Sequence, residues 1–364
     1  MKIGILTFHC AHNYGAVLQC YALQEYLKSL NHEVYVIDYR PTYILDTYKT
    51  FNWKRCISKN PILLIKKTYT EIVKINTKLK RSTNFNLFIN KKLNLLSISK
   101  LSKTDLDYII IGSDQVWNTK LTHGFDHYYW GNFNKNSKTQ LISYAASIEE
   151  FWKENLNTNA IDLLKRFSHI SVREKEAAEY LKKLLPQRSI ATVVDPTLLI
   201  DKTEWNKIAQ KPPIRKPYIL LYQVRSSTKA LNIAKELAKR KNIELIYLSA
   251  NANNISSKES QRSSIEEFIG WFKYAEYIVC TSFHGTVFSY IFKKPFYSIK
   301  LNDGKDSRVE SLINILHKEN CFIEYLPTNN INSQSEYTNM KDINEAIEKS
   351  KEYLQNALQN KISL

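Results

Sequence analysis

A chain of 364 residues is long enough for two domains of ordinary size, each with its own core. Hydrophobic residues make up 43% and charged residues 24%, which excludes a disordered chain, and no apolar run approaches the ~18 residues of a spanning helix. The net charge of +17 is uneven: between Lys49 and Lys100 thirteen Lys or Arg face one acid, Glu71, a local excess of +12 suited to a polyanion.

Met1 to Leu6 is too short an apolar stretch for a signal peptide, so residues 2–7 are expected to form a first strand. His9 to Gly15 reads as a loop and Ala16 to Leu27 as an amphipathic helix. After a turn at Asn31-His32, Val34 to Tyr39 is a second strand, which completes a βαβ unit and predicts a parallel sheet. The basic segment 49–100 reads mainly as helices inserted into this domain. Strands follow at 108–111, 141–146 and 170–172, then a charged helix from Glu174 to Leu185. Prolines cluster at Lys211-Pro212-Pro213, where a boundary is expected.

A second α/β unit then reads as strand 218–222, helix 228–240, strand 244–248, helix 264–273, strand 277–280 and strand 295–299. The expected domains are therefore 1–210 and 211–330, with a linker and charged helix over 331–364. The expected fold is α/β, two Rossmann-like domains. Five cysteines, with no C-x-x-C pair, read as reduced thiols.

Candidate chemistry gathers at strand ends. Only eight residues are glycine, about 2% against a usual ~7%, and Gly15, Gly112 and Gly285 all fall just after predicted strands. Ligands of open α/β sheets bind outside such ends, so a cleft between two domains is expected. In Thr281-Ser282-Phe283-His284-Gly285, hydroxyls stand where a helix N-cap is wanted, and His284 sits at the positive end of a helix dipole. That is a natural anion site, although a histidine packed at a helix start has the same sequence.

Asp114, in Gly112-Ser113-Asp114-Gln115-Val116-Trp117-Asn118, is a candidate acid or base, or the cap of its own turn. Asn13-Tyr14-Gly15 could hold a sugar or phosphate, or simply turn the chain. Arg173 has Glu174 and Glu176 beside it, and Arg308 lies early in a helix. His9, Cys10 and His12 offer metal-ligand types without a fourth partner at suitable spacing. The dinucleotide fingerprint, the common P-loop, the nucleophile elbow and zinc-finger or helix-turn-helix patterns are all missing, so no nucleic-acid partner is expected.

Taken in order, six motifs resemble the polysaccharide pyruvyl transferase family. They are Gly4 to Phe8 with Asn13 to Gln19, Ile111 to Asn118, Ser143 to Ser147, Ile170 to Glu174, Val194 to Leu198 and Thr281 to Gly285. The likeness runs from residue 3 to about residue 316, leaving out 49–100. It implies a GT-B-like architecture with the active site in the interdomain cleft. It also implies phosphoenolpyruvate as donor, a sugar diol as acceptor, a cyclic pyruvate ketal and phosphate as products, and no metal or redox cofactor.

The family's donor-site arginine and histidine match Arg173 and His284, with Ser282 and Gly285 beside the histidine. Many members carry an arginine where this chain has Ser282, and Arg308 is the expected replacement for that charge. Asp114 is the expected base, and Asn13, Tyr14, Gly15, Ser113, Gln115, Trp117 and Asn118 the expected acceptor side. Because such saccharides are often built on a lipid carrier, the basic segment, in which Trp53 and Pro61 to Ile65 alternate with lysines, is expected to meet anionic lipid. The expected location is cytoplasmic, at the inner face of the membrane. A nucleotide-sugar glycosyltransferase, with Asp38 or the 281–286 loop meeting the donor, is the competing enzyme. A non-catalytic polyanion binder is the third reading.

Overall fold

A computed structural model describes residues 1–53, 56–148, 158–249, 262–327 and 340–359. The chain divides into two compact units: 1–47 with 89–200 and 344–364, and 48–88 with 201–343.

In the first unit, seven parallel strands lie in the order β3-β2-β1-β4-β5-β6-β7. They are Lys2–Leu6 (β1), Glu33–Asp38 (β2), Leu95–Ser97 (β3), Tyr108–Ile111 (β4), Gln140–Ser143 (β5), Phe167–Val172 (β6) and Ile190–Thr192 (β7). All four β4 residues are buried, as expected of a strand covered on both faces. The helix Tyr14–Ser29 makes the β1–β2 crossover, with Asn13 as N-cap accepting from the Gly15 and Ala16 amides. The order reverses between β1 and β4, so ligands are expected outside the carboxyl ends of that pair.

In the second unit, Tyr218–Gln223 (β8), Glu244–Ser249 (β9), Tyr277–Cys280 (β10), Phe296–Ile299 (β11) and Phe322–Ile323 (β12) form a parallel sheet in the order β12-β11-β10-β8-β9. Here the reversal lies between β8 and β10, paired with Tyr222 against Cys280. Ile219, Leu221, Val279 and Ile299 pack with Ala230, Ile233, Ala234 and Leu237 of the helix Thr228–Lys241 in one core. Elsewhere in the unit Phe268, Phe272 and Phe288, from the helices Ile265–Tyr274 and Phe283–Ile291, pack ring against ring with Tyr222.

Four expectations need correction. The division falls between Ile200 and Asp201, ahead of the prolines, because the helix Lys202–Ile208 packs Trp205 edge-to-face on Phe288 at 5.1 Å. Residues 48–88 of the basic segment belong to the second unit, since Arg81 Nη1 donates to the Ser249 carbonyl at 3.3 Å and Asn84 Nδ2 to that of Arg262 at 2.7 Å. The same segment then supplies β3 to the first sheet. From Asn344 the C-terminal helix Lys341–Gln359 joins the first unit, where Ser350 Oγ accepts from Val194 N at 3.0 Å and Tyr353 Oη donates to Ser143 O at 3.0 Å. The expected linker lies outside the described residues from 331 to 339. Finally, 295–299 is not the last strand of the second unit, as the sequence reads it, because β12 pairs beyond Phe296–Ile299.

Among the described residues, no helix is long and apolar enough to cross a membrane. The helix Pro61–Val73 nevertheless buries none of its residues. Ile62 is 75% exposed and Ile65 70%, and Tyr69, Ile72 and Val73 continue the same exposed face at helical spacing.

Candidate functional site

The carboxyl ends at the β1/β4 reversal gather most of the expected first-unit residues. Gly112 lies past β4 with φ +110°, and a Cβ there would stand 2.5 Å from the Tyr144 carbonyl oxygen, so only glycine fits. Asp114 follows, half-buried with φ +70°; its Oδ1 accepts from Gln115 N at 2.8 Å, and its carbonyl accepts from Ser147 N. Asp114 thus bonds the backbone of its own turn, as its turn-capping reading expects.

Around it the polar loop residues largely hold one another. Thr7 Oγ1 donates to the Ser113 carbonyl at 2.8 Å, and Asn118 Nδ2 donates to Gln115 Oε1 at 2.7 Å. Trp117 is a core residue, stacked on Trp130 with its Nε1 donating to Tyr129 O at 2.7 Å. Tyr14 and Gly15 are buried in the first turn of their helix rather than in a loop. Of the expected acceptor residues, Asn13 alone is half-buried instead of buried.

Arg173 is the first residue past β6, and its side chain is 5% exposed. Nη1 donates to Asp195 Oδ2 at 2.7 Å, and Nε lies 3.5 Å from Glu174 Oε1. Asp195 also accepts from the Thr197 amide and hydroxyl, while Glu174 accepts from Ser147 Oγ and Ile148 N. Burial pulls the guanidinium pKa down, but the Glu174, Asp195 and Asp114 carboxylates outweigh it and raise the value. Arg173 is thus a fixed cation amid three carboxylates.

In the second unit, Ser282 caps the helix Phe283–Ile291, its Oγ accepting from Gly285 N at 3.0 Å. The first helical bond runs from Thr286 N to Ser282 O at 3.1 Å. His284 is half-buried at the positive end of the helix, its ring edge-to-face with Phe283. In the same helix turn Thr286 Oγ1 meets Ser298 Oγ at 2.5 Å, and the buried Cys280 thiol lies 3.4 Å from the Ser298 hydroxyl. Burial above all raises that thiol's pKa, so Cys280 is a structural neighbour rather than a thiolate. Arg308 is the second residue of the helix Ser307–Ile315, half-buried.

One residue missed by the sequence reading belongs here. Arg225, two residues past β8, lies at the β8/β10 reversal. Its carbonyl accepts from Thr281 Oγ1 at 2.9 Å, and its Nε donates to Thr281 O at 3.4 Å. Its guanidinium also pairs with Asp303, and with Asp306 at 2.8 Å, while Asp306 accepts from the Leu301 and Asn302 amides. Arg225 ties the loops after β8, β10 and β11 together. The only signal for it was position, a cation immediately beyond a strand, the same class of place as Arg173.

The proposed metal-ligand types sit otherwise. His9 Nε2 is bonded to Asp38 Oδ1 at 2.9 Å, and Cys10 Sγ donates to Tyr39 O, its pKa pushed up to about 11 by burial. Among the described residues no group of three or more His, Cys, Asp or Glu could hold a metal.

Two parallel sheets, each with polar residues at its strand-order reversal, define a pair of Rossmann-like α/β units. The sequence profile of the family described as polysaccharide pyruvyl transferase matches residues 13–303, and the chain belongs to that family. A saccharide acceptor follows from that membership. No curated protein matches by sequence.

Among solved structures, UDP-GlcNAc 2-epimerase from Methanocaldococcus jannaschii is similar at 13% identity and TM-score 0.44, covering 99% of this chain and 94% of that one. The Neisseria meningitidis UDP-GlcNAc 2-epimerase bound to UDP-GlcNAc is similar at 11% identity and TM-score 0.44, over 98% and 100%. The E. coli heptosyltransferase WaaC with ADP is similar at 10% identity and TM-score 0.41, over 96% and 100%.

Proposed function

We propose that this chain transfers the pyruvyl group of phosphoenolpyruvate to two hydroxyls of one sugar. The products are a cyclic ketal and inorganic phosphate. The family match across residues 13–303, which contains Asp114, Arg173, Ser282, His284 and Gly285, carries the reading. Protonation of the enol CH2 makes C2 cationic, and one sugar hydroxyl adds there while losing its proton. The C2–O bond to phosphate breaks, and the second hydroxyl closes the ketal as its proton passes to the released phosphate.

His284, at a helix N-terminus, is the proposed phosphate ligand or acid, with Arg308 as accompanying positive charge. Asp114 is the proposed base on the sugar hydroxyl. Arg173, expected from the family to meet the donor, pairs with Asp195 and Glu174; its proposed task is to hold a positive charge beside Asp114 where the donor meets the sugar.

Phosphate release from phosphoenolpyruvate in the presence of a saccharide panel tests this reading. Saccharide-dependent release that falls about 10²–10⁴-fold in His284→Ala and in Asp114→Asn is expected. Full activity in either variant removes that residue's role. Turnover of a nucleotide sugar in place of phosphoenolpyruvate overturns the whole reading.

The exposed helix Pro61–Val73 is proposed to lie on anionic lipid, which would bring the enzyme to a lipid-linked acceptor. Its apolar face and Lys66, Lys67 and Lys74 match an interfacial helix. Co-sedimentation with phosphatidylglycerol vesicles, lost with phosphatidylcholine alone, is expected. Equal recovery from both removes the proposal.

A further inference from the structure

A second group of residues in the first unit has chemistry that the acid–base residues do not use. The connection between β4 and β5 spans residues 112–139, long for a compact α/β unit, and its one regular piece is the short 3-10 helix His127–Trp130. Its interior is filled by Trp117, Tyr129 and Trp130, each at most 2% exposed. Tyr128 and Phe133 of the same loop are only half-buried, as are Tyr39 just past β2 and Tyr43 in the helix Thr42–Thr47.

These rings form a platform. Tyr39 stacks on Tyr128 at 4.1 Å and 17°, and Tyr128 on Phe133 at 5.7 Å and 10°. His123 lies stacked beside Tyr43. At the platform's polar edge Asp126 accepts from Tyr43 Oη at 2.6 Å and from Tyr39 Oη at 3.0 and 3.2 Å, and caps the following turn through Tyr128 N.

We infer that Tyr39, Tyr43, Asp126 and Tyr128 form a pyranose-binding subsite for the saccharide acceptor. The inference rests on the proposed acceptor class and deepens it. Both phenols give their hydrogen to Asp126, so their oxygens keep lone pairs that can accept from the donating hydroxyls of a sugar. Burial, with the Asp126 carboxylate adding to it, raises the pKa of both phenols and keeps each protonated as that geometry needs. Stacked, half-exposed rings suit the apolar C–H face of a pyranose. Tyr39 also packs edge-to-face on the buried Tyr129 at 5.5 Å, which anchors the half-buried rings to the interior of the loop.

Saturation-transfer NMR tests the subsite without donor. The probes are methyl glycosides of glucose, galactose, mannose and N-acetylglucosamine, each added to the full chain. Transfer to the ring protons of at least one glycoside is expected, with affinity weakened about five- to tenfold by Tyr128→Ala. Tyr43→Phe keeps the ring and loses one hydroxyl, so it answers the question even where Tyr128→Ala fails to fold. Transfer to none of the four, or transfer unchanged in a folded variant, overturns the subsite. Because no phosphoenolpyruvate is present, failure of the ketal chemistry leaves this result standing, and phosphate release with unchanged sugar binding in the variants sinks the subsite alone.

Discussion

Gly285→Ala is the most demanding check on the strand–helix junction. A Cβ at this position would lie 2.8 Å from Cys280 Cβ, 2.9 Å from Ser282 Oγ and 3.1 Å from Tyr222 Cδ1. Carbon atoms pack at about 3.5–4.0 Å, so the start of the helix must lift by several tenths of an ångström. Cys280 and Tyr222 are at most 1% exposed and cannot retreat. Lifting also draws the Gly285 amide away from Ser282 Oγ, 3.0 Å away at present.

Overpacking of this kind costs about 1–3 kcal/mol and loss of a cap about 1 kcal/mol. Alanine's better helix propensity returns about 1 kcal/mol. The net loss of about 1–3 kcal/mol should lower the second unit's transition by roughly 2–12 °C. Differential scanning calorimetry of wild type, Gly285→Ala and Ser282→Ala separates the terms, since the serine variant loses the cap alone. A Gly285→Ala transition at or above the wild-type temperature would refute the close approach.

Arg225→Ala should cost about 1–3 kcal/mol in urea unfolding, because it leaves Asp306 without its cation, and Arg225→Lys should recover only part. Full recovery by lysine contradicts the two-carboxylate bridge. His9 above all, with Arg40, holds the Asp38 carboxyl below its usual range against the effect of burial. The stability this gives is complete above the unfolded-aspartate pKa of about 3.9 and is lost as pH falls through the lower folded value. The stability gap between wild type and Asp38→Asn should therefore shrink as urea unfolding is repeated below about pH 4; a constant gap rules this out. Trp205→Ala, at a fully buried site against Phe288, should cost about 3–5 kcal/mol in the second unit's transition. A drop in the first unit's transition instead would mean that the boundary at Asp201 is misplaced.

The sequence made some features legible through local pattern. Helical spacing marked Ala16 to Leu27, although the helix begins two residues earlier because Asn13 caps it. Four-residue apolar runs marked β4 and β10. The hydroxyl–histidine–glycine order announced the N-cap at Ser282.

Features set by distant contacts were not legible. Leu95–Ser97 has a single buried residue and becomes a strand only by pairing with β2. The allegiance of residues 48–88 rests on Arg81 and Asn84 reaching carbonyls more than 160 residues away. Trp117 reads as a binding residue in a polar motif, but its indole N–H finds the Tyr129 carbonyl and the ring goes into the core. The Asp126 cluster escaped notice because two stretches of chain more than 80 residues apart supply it.

Neither unit is a single stretch of chain, and that governs how the protein can form. Val194 N bonds to Ser350, 156 residues on, and Ser143 O accepts from Tyr353, 210 residues on. During synthesis the first sheet can therefore assemble well before its last hydrogen-bond partners leave the ribosome. The second unit, whose segment through Ile343 emerges ahead of those partners, has the chance to fold first, although its first residue is number 48. A fragment cut at residue 210 would hold all seven strands of that sheet and yet lack the helix that completes it.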